Sequence, residues 1–199
     1  MLPLKTLING FKRFIPRSVK RGVKRALLNI GQSILYIVFR GQPEKRDVRH
    51  IVFVCKGNIC RSAFAEYYLR AQISKRTIKI ESCGLDVDQG TASPAEAVMV
   101  GREFGVALDT HQAKGLKACS MQTADLIVPM EYIQYKRLLS MYPERKGRIR
   151  LLSEFSPWPK KILCNIDDPF ELGEGEFRRC FNAMQLALDK LKSDLAVPQ

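Results

Sequence analysis

The sequence predicts an α/β fold, a three-layer sandwich around a four-stranded parallel sheet. Three observations lead there. Short β-branched apolar runs alternate with stretches of helical periodicity from His50 onward. The first run, His50–Cys55, is apolar at successive positions, as in a strand covered on both faces. The last stretch, Glu174–Leu195, carries Phe177, Phe181, Met184, Leu188 and Leu191 on one helical face, ready to cover a sheet.

Residues 1–47 form a basic extension and linker, and residues 48–199 the globular domain. Residues 1–49 hold +10 of the total charge of +13, so the domain is near neutral and an acidic partner belongs at the N-terminus. From Ile15 to Val38 the apolar positions 15, 19, 23, 26, 27, 30, 34, 37 and 38 fall on one helical stripe. Arg17, Lys20, Arg21, Lys24 and Arg25 lie opposite. Pro16 suits a first helical position, while Gly22 and Gly31 weaken the helix. The uncharged run Ala26–Phe39 is too short for a bilayer span, which needs about 20 apolar residues. The charged Arg40–Lys45 that follows is no signal-peptidase site. Three readings stay open: a peripheral anchor through residues 1–43 on an anionic membrane surface, a transit peptide, or a docking helix for another protein. Nucleic acid is not expected, because apolar residues occupy one whole face. The polar segment Gln42–Arg49, opened by Pro43, reads as a linker.

Within the domain, Ser62–Lys75 is a helix with Phe64, Tyr67, Tyr68 and Ala71 at three-and-four spacing. Ile78–Ser82 is a strand, and Ser93–Phe104 a helix with Pro94 in its first turn. Asp125–Met130 is the third strand, Tyr132–Tyr142 a helix, Arg148–Leu152 the fourth strand, and Glu174–Leu195 the last helix. The six cysteines sit in a chain of 199 residues without an export signal, so they are expected reduced and the compartment cytoplasmic. The two histidines, His50 and His111, stand far from any Cys-x-x-Cys pair, so no metal site is expected.

The first strand ends in Cys55-Lys56-Gly57-Asn58-Ile59-Cys60-Arg61-Ser62, and a helix follows at once. A short turn from strand to helix gathers backbone N–H groups around a concavity, an anion site reinforced by the helix N-terminus. Gly57 is expected to adopt a backbone conformation closed to other residues, and Asn58 tolerates a left-handed one. No acid in the loop would repel a phosphate, and Arg61 offers two donors in a planar fork. The same field favours a Cys55 thiolate, helped by a donating Ser62 hydroxyl. Nucleophile and phosphate-binding loop therefore come from one segment between the first strand and first helix, which is the chemistry of a phosphocysteine intermediate.

The string Val-Cys-Lys-Gly-Asn-Ile-Cys-Arg-Ser resembles the signature of low-molecular-weight protein tyrosine phosphatases, and the resemblance runs from about Val48 to the chain end. Glu81–Gly84, Asp109–Lys114, Asp125–Glu131 and Ile166–Phe170 resemble further segments of that family, in the same order. It implies Cys55 as nucleophile, Arg61 as phosphate ligand, and Lys56, Gly57, Asn58, Ile59, Cys60 and Ser62 as the cradle. It further implies Asp168 as general acid, with Asp167 its near neighbour, and Phe170 as the aromatic stacking on the leaving group. Ser82 and His111 match residues that hydrogen-bond the loop asparagine. Cys60 matches a cysteine that can pair reversibly with the nucleophile, and equally a small residue packed beneath the loop. The expected substrate is a phosphorylated protein, with no metal or organic cofactor. Two features bear on specificity: Leu85–Ser93 lacks the aromatic wall of many members, and Ile59 stands where related arginine phosphatases carry Thr. The rivals are an arsenate reductase of similar fold and a non-catalytic phosphate-dependent binding module at a membrane. The first relies on a cysteine pair where this chain has Met130 and Glu131, and the second needs neither nucleophile nor acid.

Overall fold

The computed structural model describes residues 17–44, 47–73, 78–87 and 90–196; of residues 17–22, 25 and 196 only the backbone is described. The order is α1 (Arg17–Phe39), β1 (His50–Cys55), α2 (Arg61–Gln72), β2 (Lys79–Gly84), α3 (Ala95–Glu103), β3 (Leu126–Pro129), α4 (Tyr132–Met141) and α5 (Glu174–Ala196), with short 3₁₀ turns between. The expected helices and the first three expected strands are present with shifted ends. Pro94 caps α3 from outside (φ −64°, ψ 153°) rather than sitting in its first turn. The expected tail of the first domain helix, residues 74 and 75, lies outside the described residues.

The sheet is parallel in the order β2-β1-β3, with Cys55 beside Gly84 and Val54 beside Pro129. It has three strands, not the expected four. Arg148–Leu152 contributes one parallel bridge, Ile127 to Ile149, with Arg150 N–H donating to Ile127 O at 2.9 Å. The reason is local. A 3₁₀ turn occupies Pro143–Arg148 and another begins at Leu152, so too few extended residues remain to continue the ladder.

Side-chain alternation along β1 builds two cores. Ile51, Phe53 and Cys55 face α2, α3 and α5, where Phe64 and Phe181 stack with centroids 4.0 Å apart. Val52 and Val54 face the other side, where Tyr135 and Leu138 of α4 and Tyr36 of α1 cover them. The result is helices, sheet, helices, the expected sandwich. Burying each such aliphatic or aromatic side chain contributes about 1.5–3 kcal/mol.

Helix α1 is part of this fold. It docks through a face the apolar stripe does not predict. Tyr36 is buried edge-on against Tyr135, and its hydroxyl accepts the Leu151 N–H at 3.0 Å. Ser33 Oγ accepts the Cys164 N–H at 3.0 Å, and Gln32 accepts from Asn165 Nδ2 at 2.6 Å. The linker is also held, because Glu44 pairs with Arg148 at 3.0 Å. Among the described residues no helix is long and apolar enough to cross a membrane.

Candidate active site

The loop from β1 to α2 is built around Asn58. Its φ of +55° is the left-handed conformation, which Asn adopts more readily than most residues. Gly57, expected to need such freedom, does not have a positive φ, and a Cβ there would make only ordinary contact with Ile59. The glycine that the loop requires is Gly84 at the end of β2. A Cβ there would lie 2.7 Å from Lys56 O and 2.9 Å from Asn58 N.

Buried Asn58 has every polar group engaged. Its Nδ2 donates to Ser62 Oγ at 2.9 Å and to Ser82 Oγ at 2.8 Å, and its Oδ1 accepts the Lys114 N–H at 2.8 Å. Its carbonyl meets His111 Nε2 at 2.6 Å. Ser82 in turn donates to Glu66, a buried carboxylate that also pairs with Arg70. A chain of hydrogen bonds thus runs from Glu66 through Ser82 and Asn58 to Ser62. Leaving such a buried group unpaired costs about 1–3 kcal/mol, so the loop shape is strongly held.

The chain ends at the sulfur. Asn58 N–H donates to Cys55 Sγ at 3.2 Å, and Ser62 Oγ lies 3.0 Å from the same atom. Ser62 Oγ is also 3.3 Å from the Cys83 carbonyl, so its single proton has two acceptors, and a thiolate would draw it to sulfur. Cys60 is a buried free thiol in the core beneath the loop, and burial pushes its pKa up.

Arg61 is almost fully buried and meets three oxygens. Its Nη1 donates to Glu131 and, at 2.9 Å, to Ile166 O; its Nη2 pairs with Asp168 Oδ2 at 2.6 Å. Burial alone would lower its pKa, but facing Cys55, Asp168 and Glu131 raises it, so the guanidinium stays charged. Of the remaining donors, the buried Nε–H has no protein partner. Such a donor is rare, and an anion's oxygen would satisfy it. Of the two neighbouring aspartates, Asp168 is the one paired with Arg61. Its Oδ1 accepts the Phe170 N–H at 3.3 Å, a turn that leaves the Phe170 ring part-exposed beside the acid.

Sequence reasoning overlooked Glu66 and Glu131. Glu131 is itself steadied by Gln134 Nε2 at 3.1 Å. Nothing local marks either residue, since each meets its partner only across elements. The sequence signal available was weak: an acid directly after the third strand, and an acid one turn into the first domain helix.

His111 gives a pH prediction. Burial lowers its pKa, outweighing its bond to the Asn58 carbonyl, so the neutral ring donates Nε2–H there. A lowered folded-state pKa contributes stability that is complete above the unfolded value of about 6.5 and lost as pH falls through the folded one. Between those two values wild type should therefore lose up to about 1.4 kcal/mol per pH unit relative to His111→Gln. Parallel melting-temperature profiles of the two proteins would contradict this.

A thiol facing a buried arginine and a carboxylate, on the first strand-to-helix loop of a parallel α/β sheet, defines a cysteine-loop phosphatase fold. Residues 50–198 match the family of low molecular weight phosphotyrosine protein phosphatases, and the chain belongs to that family. The protein-tyrosine-phosphatase Wzb of Escherichia coli K12 is 32% identical over 136 residues, 68% of this chain and 88% of that protein. The Erwinia amylovora tyrosine phosphatase AmsI superposes with a TM-score of 0.68 at 30% identity, covering 75% of this chain and 95% of that one. The YwlE arginine phosphatase of Geobacillus stearothermophilus gives 0.67 at 25% identity, covering 74% and 92%.

Proposed function

We propose that this chain hydrolyses phosphotyrosine in proteins through a phosphocysteine intermediate. The observation that carries the reading is the meeting of Cys55, Arg61 and Asp168 around one point, with the Arg61 Nε–H unpaired. Cys55 Sγ attacks phosphorus as a thiolate, and the bond from phosphorus to the tyrosine oxygen breaks. Asp168 gives its proton to that oxygen. Its carboxylate then takes a proton from water, which attacks phosphorus and frees phosphate and the Cys55 thiolate. Arg61 and the loop amides hold the other three oxygens throughout. Phe170 flanks the departing ring, and peroxide oxidation of Cys55 can be trapped by Cys60 as a disulfide.

The likeness to Wzb and AmsI supports phosphotyrosine. Phosphoarginine is the second reading, favoured by the shared fold of YwlE and opposed by Ile59. Arsenate reduction is opposed by Glu131, which is held against Arg61 where that chemistry would need a cysteine. A pure binding role is opposed by the acid at Asp168.

Turnover of phosphotyrosine peptide, phosphoarginine peptide and arsenate separates these. The phosphotyrosine peptide should have the highest kcat/KM. Preference for phosphoarginine, or thiol-dependent arsenate loss, would replace this reading.

A further inference from the structure

We infer that the outer face of α1, together with the segment Trp158–Leu163, is a docking surface for an anionic membrane. The docking contacts of α1 use Gln32, Ser33 and Tyr36, which turns its apolar stripe to solvent. Val23, Leu27, Ile30, Ile34, Ile37 and Val38 are all about half exposed or more, within an arc of about 100° at the helical repeat. Single exposed apolar residues are ordinary, but a contiguous row along one helix marks an interaction surface.

The second observation lies outside the extension. Trp158 is 74% exposed, and Ile162 and Leu163 are exposed beside it. Ile37 of α1 and Ile162 line one cleft, so the two patches adjoin. Between them in the chain stand Lys160 and Lys161, both exposed. A tryptophan ring with lysines around it is the composition found where membrane core meets headgroups.

Charge selects the occupant. Residues 1–43 carry nine Lys or Arg and no acid, a charge of +9. A second copy, itself carrying +13, would be repelled by it, whereas anionic lipid would be attracted. Each cation near such a surface adds about five-fold in affinity. The stripe supplies the apolar part, as in helices that lie in the interface plane.

Trp158 is the sole tryptophan, so its emission reads the contact in the full-length protein. Mixed phosphatidylcholine–phosphatidylglycerol vesicles should shift that emission to the blue, and raising salt should reverse the shift. Replacing Lys20, Arg21, Lys24 and Arg25 with Gln should weaken binding by about 100-fold or more. Ile34 and Ile37 are each more than half exposed, so Ile34→Ser with Ile37→Ser should weaken binding at least about ten-fold while turnover of a small soluble substrate is unchanged. Three outcomes would overturn the proposal: no shift with mixed vesicles, an equal shift with pure phosphatidylcholine, or a shift that appears on concentrating the protein alone together with a dimer in sedimentation. A loss of turnover in the double variant would also overturn it, since those side chains would then belong to the fold.

Discussion

Cys55→Ser should lower turnover of p-nitrophenyl phosphate by more than about 10⁴-fold while vanadate and phosphate still bind. Serine keeps the size and position of the group, so the Asn58 network and Arg61 remain in place. What it removes is the nucleophile. A hydroxyl at the head of this loop ionises far less readily than a thiol, and the groups in contact with it, the Asn58 N–H and the Ser62 hydroxyl, are not bases. Binding should survive because the amides and Arg61 carry it. Isothermal titration with vanadate alongside the steady-state rate tests both halves. Retained turnover would remove Cys55 from the mechanism, and lost binding would mean that the substitution had collapsed the loop.

Asp168→Ala should cut kcat/KM, which reports the step in which the leaving group departs, about 10²–10⁴-fold on phosphotyrosine peptide and far less on p-nitrophenyl phosphate. The difference comes from the leaving group, because p-nitrophenolate departs without needing a proton and tyrosine does not. The comparison also controls for structure. Arg61 loses one partner in this variant but keeps Glu131 and the Ile166 carbonyl, so the phosphate cradle should persist. Equal losses on the two substrates would show that Asp168 only steadies Arg61, and Asp167 would be the next acid to replace.

Glu131 belongs to the same question. It shares Arg61 with Asp168, so a phosphoryl group entering the site meets an arginine already oriented rather than one free to rotate. Pre-paid orientation of this kind is a large part of catalysis. The same arrangement explains how Asp168 is chosen over Asp167. Ile166 N–H donates to Met130 O at 2.9 Å, and Arg61 holds the Ile166 carbonyl, so the chain two residues later presents Asp168 to the guanidinium.

Much of the site could be read from order and spacing alone. Cys55 at the end of a β-branched strand, Arg61 one loop later and Ser62 opening a helix are local facts, because a strand-to-helix turn brings its own residues together. Asp168 and Phe170 were legible only through resemblance, since an Asp-Pro pair is otherwise an ordinary turn. The α/β class was legible because a two-residue period and a 3.6-residue period differ over a few residues.

Other features depended on contacts between distant parts of the chain. Whether Arg148–Leu152 pairs as a strand was decided by the 3₁₀ turns on either side, not by its own composition. Ser82, His111 and Lys114 reach Asn58, and Glu66 reaches Ser82, across distant parts of the chain, and burial, which no single residue encodes, makes their bonds costly to lose. The sequence by itself determined that residues 17–38 form an amphipathic basic helix, with the expected residues 15 and 16 outside the described ones, because periodicity and charge are properties of the segment. Which side of that helix faces the domain was decided by the tertiary structure. Tyr36 and Ser33 found unpaired backbone donors at Leu151 and Cys164, and satisfying those buried groups turned Gln32, Ser33 and Tyr36 inward and the apolar stripe outward.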